Sequence, residues 1–87
     1  MEYTVYIIFS IKTQKYYVGQ TEDFTKRFER HNVGLVKSTK SGLPWKRIHI
    51  ILCETRSDAM ILETKIKKRG ISRYLLDNNI VFDVIEV

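Results

Sequence analysis

Eighty-seven residues make one small domain, since a domain usually takes roughly 100 to 200 residues, and 44% hydrophobic with 29% charged side chains excludes disordered and low-complexity chains. The lone Cys53 excludes an internal disulfide framework and a cysteine-based zinc finger; with neither a signal peptide nor a long apolar run, a cytoplasmic chain with no membrane contact is expected. Fifteen Lys and Arg against ten Asp and Glu give +5, and all fifteen bases lie within residues 1–76, so the body of the chain suits a polyanion and the tail is acidic.

Residues 3–10, dense in β-branched and aromatic side chains, predict a strand. A polar connector, Lys12 to Lys15, leads into a second β-prone run, Tyr16-Tyr17-Val18-Gly19, and the two are expected to pair antiparallel, with Gly19 marking a turn or a close approach. Phe24 and Phe28 then fall four apart, as do Arg27 and His31, which predicts a helix over 24–32 with Thr21 or Asp23 accepting from its first amides. Residues 33–46 carry Gly34, Gly42 and Pro44 without periodicity and read as a long loop of the kind that often binds something. Ile48 to Leu52 predicts a third strand. Ser57 is the expected N-cap of a second helix from Asp58 to about Arg69, ended by Gly70, and a short third helix covers Arg73 to Asp77. Ile80 to Val87 offers either an edge strand or an apolar tail. The expected class is α+β, a small antiparallel three-stranded sheet flanked by helices in the order β-β-α-β-α-α, with residues 1–77 as the core and 78–87 as its tail.

Five residues stand out as carriers of chemistry: Tyr6, Tyr17, Arg27, His31 and Glu63. Taken singly, each has an ordinary structural role, the tyrosines as half-buried packing and Arg27 and His31 as a solvated helix face. Glu63 is harder to place, because it sits beside the apolar stripe of Ala59, Leu62 and Ile66, where a carboxylate needs a partner, a cation or a metal. Taken together they form a pattern. Thr4-Val5-Tyr6 and Tyr17-Val18-Gly19, with ten residues between the tyrosines, precede Arg27 and His31-Asn32 on one helix and Ala59, Glu63 and Lys67 on the next. Over nearly its whole length the chain resembles the small single-domain members of the GIY-YIG nuclease family. It departs from the family pattern in having Thr4 for the first glycine and Val18 for isoleucine.

The resemblance implies a metal-dependent DNA endonuclease that hydrolyses phosphodiester bonds, with a role in repair or defence and a preference for DNA structure. It implies Glu63 as the ligand of Mg2+ or Mn2+, which suits a hard ion that keeps most of its waters. Arg27 would face the phosphate, where negative charge develops. Tyr6 and His31 share the candidacy for general base, because a free phenol titrates near 10 and an imidazole near 6.5, and Tyr17 would hold the nucleophile or a phosphate oxygen. Lys26, Arg30, Lys40, Lys46 and Lys67, joined by Lys37 and Arg47, are candidates for positioning the DNA backbone rather than reading bases. Trp45 either stacks on a base or caps the core. The alternative from another class is a binding module that keeps the nuclease fold with weak turnover and recruits a partner; target choice then falls to DNA shape, the loop, or a protein partner or second copy of the chain.

Overall fold

A computed structural model of the chain describes residues 2–80. The β-branched run at the N-terminus becomes β1 (Tyr3–Ser10), and it pairs on both sides. β2 (Lys15–Thr21) returns antiparallel after a four-residue turn over 11–14, bringing Tyr6 opposite Gly19 and Ile8 opposite Tyr17. β3 (Trp45–Cys53) lies antiparallel on the other edge of β1, giving the strand order β2-β1-β3. Between β2 and β3 come α1 (Phe24–Asn32) and a 3-10 helix (Lys37–Gly42); after β3 come α2 (Arg56–Arg69) and α3 (Ile71–Asp77). The α+β class and the element order are those expected.

Strand alternation sorts the core into two layers. Val5 and Ile7 of β1, with Val18 of β2, pack against Ala59 and Ile66 of α2 and Leu75 of α3. Tyr6 and Ile8 belong to a second cluster with Trp45, bordered by Tyr17, Phe24, Phe28 and Ile50. The sheet is therefore sandwiched, α2 and α3 on one face and α1 on the other. An irregularity between Ile7 and Ile8 in the pairing with β3 carries the ladder on to Ser10 opposite Trp45.

Local chemistry moves four boundaries away from expectation. α2 begins at Arg56, not Asp58, because Thr55 and not Ser57 is its cap: the Thr55 hydroxyl oxygen accepts from the Asp58 amide at 3.1 Å. α3 starts at Ile71 rather than Arg73, since Gly70, at φ 93°, both ends α2 and opens α3. β3 is longer than Ile48–Leu52 at both ends. The expected loop over 33–46 holds the 3-10 helix and the first two residues of β3. At α1 the cap is Asp23, whose Oδ1 accepts from the Lys26 amide at 3.1 Å. A bidentate pair from the Arg69 guanidinium to Asp77, at 2.6 and 3.1 Å, fastens α3 to the end of α2. Residues 81–87 of the expected edge strand or tail lie outside the described residues. No helix among the described residues is long and apolar enough to cross a membrane.

This layering separates inner from outer positions on α2. Ile66→Ala, at a site with no exposure, is expected to cost about 2–4 kcal/mol in chemical denaturation. Ile61→Ala, at 67% exposure, should change stability by no more than about 0.5 kcal/mol.

Candidate active site

On the α1 face of the sheet, Tyr6 projects from the middle strand and is fully buried. Its neighbour across the ladder has to be small: a Cβ on Gly19 would stand 2.6 Å from the Tyr6 phenol oxygen and 2.8 Å from its ring carbon Cζ. The close approach expected at Gly19 is thus to the first tyrosine. Tyr17 lies with its ring centroid 6.3 Å from that of Tyr6 and 5.1 Å from that of His31.

The phenol is the junction of a polar chain. Tyr6 Oη and His31 Nε2 are 2.9 Å apart, and Arg27 Nε–H donates to the same Oη at 3.4 Å. His31 Nδ1 meets Thr39 Oγ1 at 2.7 Å, and the Thr39 hydroxyl donates onward to the Val36 carbonyl at 3.3 Å. A hydroxyl has one proton. With the Thr39 proton given to Val36, Thr39 accepts from His31, the arrangement that carries the imidazole proton on Nδ1 and leaves the Nε2 lone pair for the Tyr6 O–H. Thr39 is itself held: the Trp45 indole donates to its carbonyl at 2.7 Å, and Asn32 brackets Trp45 by accepting from its amide at 2.6 Å and donating to its carbonyl at 3.3 Å. Every buried side-chain polar atom among the described residues has a partner.

This setting controls the protonation states. Burial, helped by the positive charge of Arg27, lowers the His31 pKa from 6.5 to about 4, so the ring is neutral at pH 7. Burial raises the Tyr6 pKa above its ordinary value, opposed chiefly by the hydrogen bond from Arg27; the charges of Tyr17 and Glu63 push it up further. Glu63 is therefore within electrostatic reach of the phenol. Its side chain, 18% exposed, is paired with Lys67 at 2.7 Å one turn along α2. That pairing answers the need for a partner that its position beside the apolar stripe creates.

Of the five expected catalytic residues, Tyr6, Tyr17, Arg27 and His31 form one cluster, and Glu63 approaches it from α2. Among the described residues no group of three His, Cys, Asp or Glu side chains stands close enough to hold a metal ion between them. A divalent ion here would rest on Glu63, completed by water and substrate oxygens; one carboxylate suffices for a hard ion that keeps its hydration. The positioning candidates divide. Lys26 and Arg30 line a cleft of about 450 Å3 that also contains Arg27. Lys37 and Lys40 are exposed on the 3-10 helix, Lys46 and Arg47 sit on β3, and Lys67 is engaged with Glu63. Trp45 is buried and belongs to the core, so of its two readings the capping one holds. Thr39 and Arg56 were not visible as site residues in the sequence. Thr39 lies in an aperiodic segment, and Arg56 precedes the helix expected from Asp58, so neither carried a signal.

Comparison with known proteins places these features. The family model described as the GIY-YIG catalytic domain matches residues 2–74. A UPF0213 protein of Listeria welshimeri is 39% identical over 64 residues, covering 72% of this chain and 71% of that protein. A UPF0213 protein of Fusobacterium nucleatum is 42% identical over 53 residues, 60% of this chain and 53% of that one. The solution NMR structure of a UPF0213 protein from Bacillus halodurans superposes with a TM-score of 0.57 at 24% identity, over 92% of this chain and 87% of that chain, which is a likeness of fold.

Two predictions follow from the buried chain of hydrogen bonds. Because the His31 pKa lies below that of the unfolded chain, the folded protein resists a proton that the unfolded chain takes up; the stability is fully present above about pH 6.5 and declines as pH falls towards 4. Thermal melting across pH 4 to 8 should show this decline, and His31→Gln should flatten it. Thr39→Val, which strands the Nδ1–H donor, is expected to cost about 1–3 kcal/mol, while Thr39→Ser retains the acceptor and most of the stability; nitrogen-15 shifts of the His31 ring should report the Nδ1–H tautomer in the native chain and in Thr39→Ser.

Proposed function

The chain belongs to the GIY-YIG family, whose catalytic domain is matched by its residues 2–74, and from that premise we propose that it is a metal-dependent endonuclease hydrolysing phosphodiester bonds in DNA. The observation that carries this reading is the convergence of Arg27 and His31 on the buried phenol oxygen of Tyr6, with the Tyr17 ring beside His31 and the Glu63 carboxylate within electrostatic reach. Such a set combines a proton acceptor, a fixed cation and an acidic ligand, and that combination suits attack by water on a phosphodiester.

The geometry also supports an order for Tyr6 and His31. Tyr6 Oη lies between Arg27 and His31, and the imidazole is turned inward, its far nitrogen committed to Thr39. In the substrate complex Tyr6, on the Arg27 side, takes the proton of the nucleophile, and His31 stands behind it, its Nε2 lone pair receiving the phenol proton. Neutral His31 is the form this needs. Arg27 holds the phenol oxygen and presents positive charge to the phosphate. Tyr17, against the His31 ring, orients the nucleophile or a phosphate oxygen. Bound at Glu63, Mg2+ or Mn2+ would polarise the phosphoryl oxygen and stabilise the leaving oxygen. Selectivity for branched or damaged DNA, a role in repair or defence and a protein partner are parts of the same proposal.

Pure protein is expected to nick or cut at least one of duplex, nicked, flapped and branched DNAs on addition of Mg2+ or Mn2+, and to stop on chelation. Glu63→Gln should lower cleavage at least about a hundredfold while binding persists. Full activity in that variant would remove Glu63 as the metal ligand, and inactivity of the native chain on every substrate would sink the nuclease reading.

A further inference from the structure

At the end of the sheet where β1 begins and β2 finishes, α1 and the start of α2 approach from opposite faces and form the walls of the cleft beside Arg27. Lys26, Arg27 and Arg30 come from α1 and Arg56 from α2; the acids lining it are Glu22 and Asp23. Asp23 is occupied as the cap of α1. Among the described residues, Lys26, Arg30 and Arg56 have no ion-pair partner, unlike Lys67 with Glu63 and Arg69 with Asp77.

Arg56 is the informative member. It is the first residue of α2, where the helix dipole disfavours a cation, and the favourable acid of that turn is Asp58. Its position relative to the site is set by helix geometry. At about 100° per residue, Glu63 and Lys67 fall within about 20° of Arg56 around the axis, and Glu63 lies about 10.5 Å further along it. One face of α2 therefore presents Arg56, Glu63 and Lys67 in line. The cleft continues that line across to Lys26 and Arg30, with Arg27 shared between cleft and phenol. A planar, permanently charged fork on such a wall is matched to phosphate oxygens.

We propose that Arg56, with Lys26 and Arg30, forms a subsite for a backbone phosphate of the nucleic acid, flanking the phosphate that Arg27 holds. The inference rests on the nuclease reading for its ligand, a phosphodiester strand. It places the strand's path at the β1–β2 end of the sheet rather than over Lys37 and Lys40. A cation against the helix dipole is then kept for binding, at a small cost to the free protein.

The test is fluorescence anisotropy of a labelled branched DNA with the Glu63→Gln protein, from 50 to 200 mM salt, comparing Arg56→Gln, Arg56→Lys and Lys65→Gln added to it. Lys65 lies about 180° from Arg56 around α2 and loses the same charge. Arg56→Gln is expected to weaken binding about five- to tenfold and to reduce the salt slope by about one, with an unchanged or slightly raised Tm. Arg56→Lys should keep most of the slope, and Lys65→Gln should stay within about twofold. Equal effects of Arg56→Gln and Lys65→Gln would overturn the subsite. The two readings fail separately: a protein that binds with the expected Arg56 dependence but whose native form cuts nothing keeps the subsite and loses the nuclease, and a protein that cuts while Arg56→Gln behaves like Lys65→Gln loses the subsite alone.

Discussion

The 2.9 Å hydrogen bond between Tyr6 and His31 joins the middle strand to α1 in a region that water does not reach. Polar groups taken out of water are costly unless each finds a partner. That requirement propagates outward. His31 can accept from Tyr6 only if its other nitrogen carries the proton, which needs Thr39 as acceptor, and Thr39 is placed by Val36 and by the Trp45 indole. The aperiodic segment between α1 and β3 is thereby tied to the site through a chain of directed bonds. Through Thr39 it forms a back wall for the imidazole.

The same strand divides two tasks by the pleat. Val5 and Ile7 bury apolar surface against α2 and α3, while Tyr6 faces the polar chain. Since β1 is paired along both edges, neither face can shift without disturbing the other. Gly19 belongs to this constraint, because the phenol oxygen occupies the space its side chain would need. The departure at Thr4 does not touch it: Thr4 is buried two residues before Tyr6, opposite Thr21 in the ladder, and the close approach is made at Gly19.

Six of the fifteen basic side chains fall into two groups. Arg27, Lys67 and Arg69 are engaged with Tyr6, Glu63 and Asp77 and set local geometry or protonation. Lys26, Arg30 and Arg56 line an open cleft without an ion-pair partner among the described residues. A summed charge of +5 treats them alike, yet partnered cations contribute less to the outward field than unpartnered ones on one wall.

Much of the site was legible in the chain because strand alternation and helix periodicity are local. The two β-prone runs were read as an antiparallel pair, on whose register Tyr6 and Tyr17 share a face, and the four-residue interval from Arg27 to His31 put them on one side of a helix. Helix ends were less legible, since Thr55 and Ser57 are equally good caps by type and only the backbone around Asp58 selects one. Thr39 and Arg56 could not be read at all as site residues. Thr39 lies eight residues from His31 in a segment without period, and Arg56 meets Lys26 and Arg30 only because α1 and α2 reach the same end of the sheet from opposite faces. The sequence by itself determined the elements, the residue types and the net charge of +5. The contacts of His31 with Tyr6 and Thr39 and the wall formed by Arg56 were decided by tertiary structure, because each depends on distances between segments that no local pattern encodes.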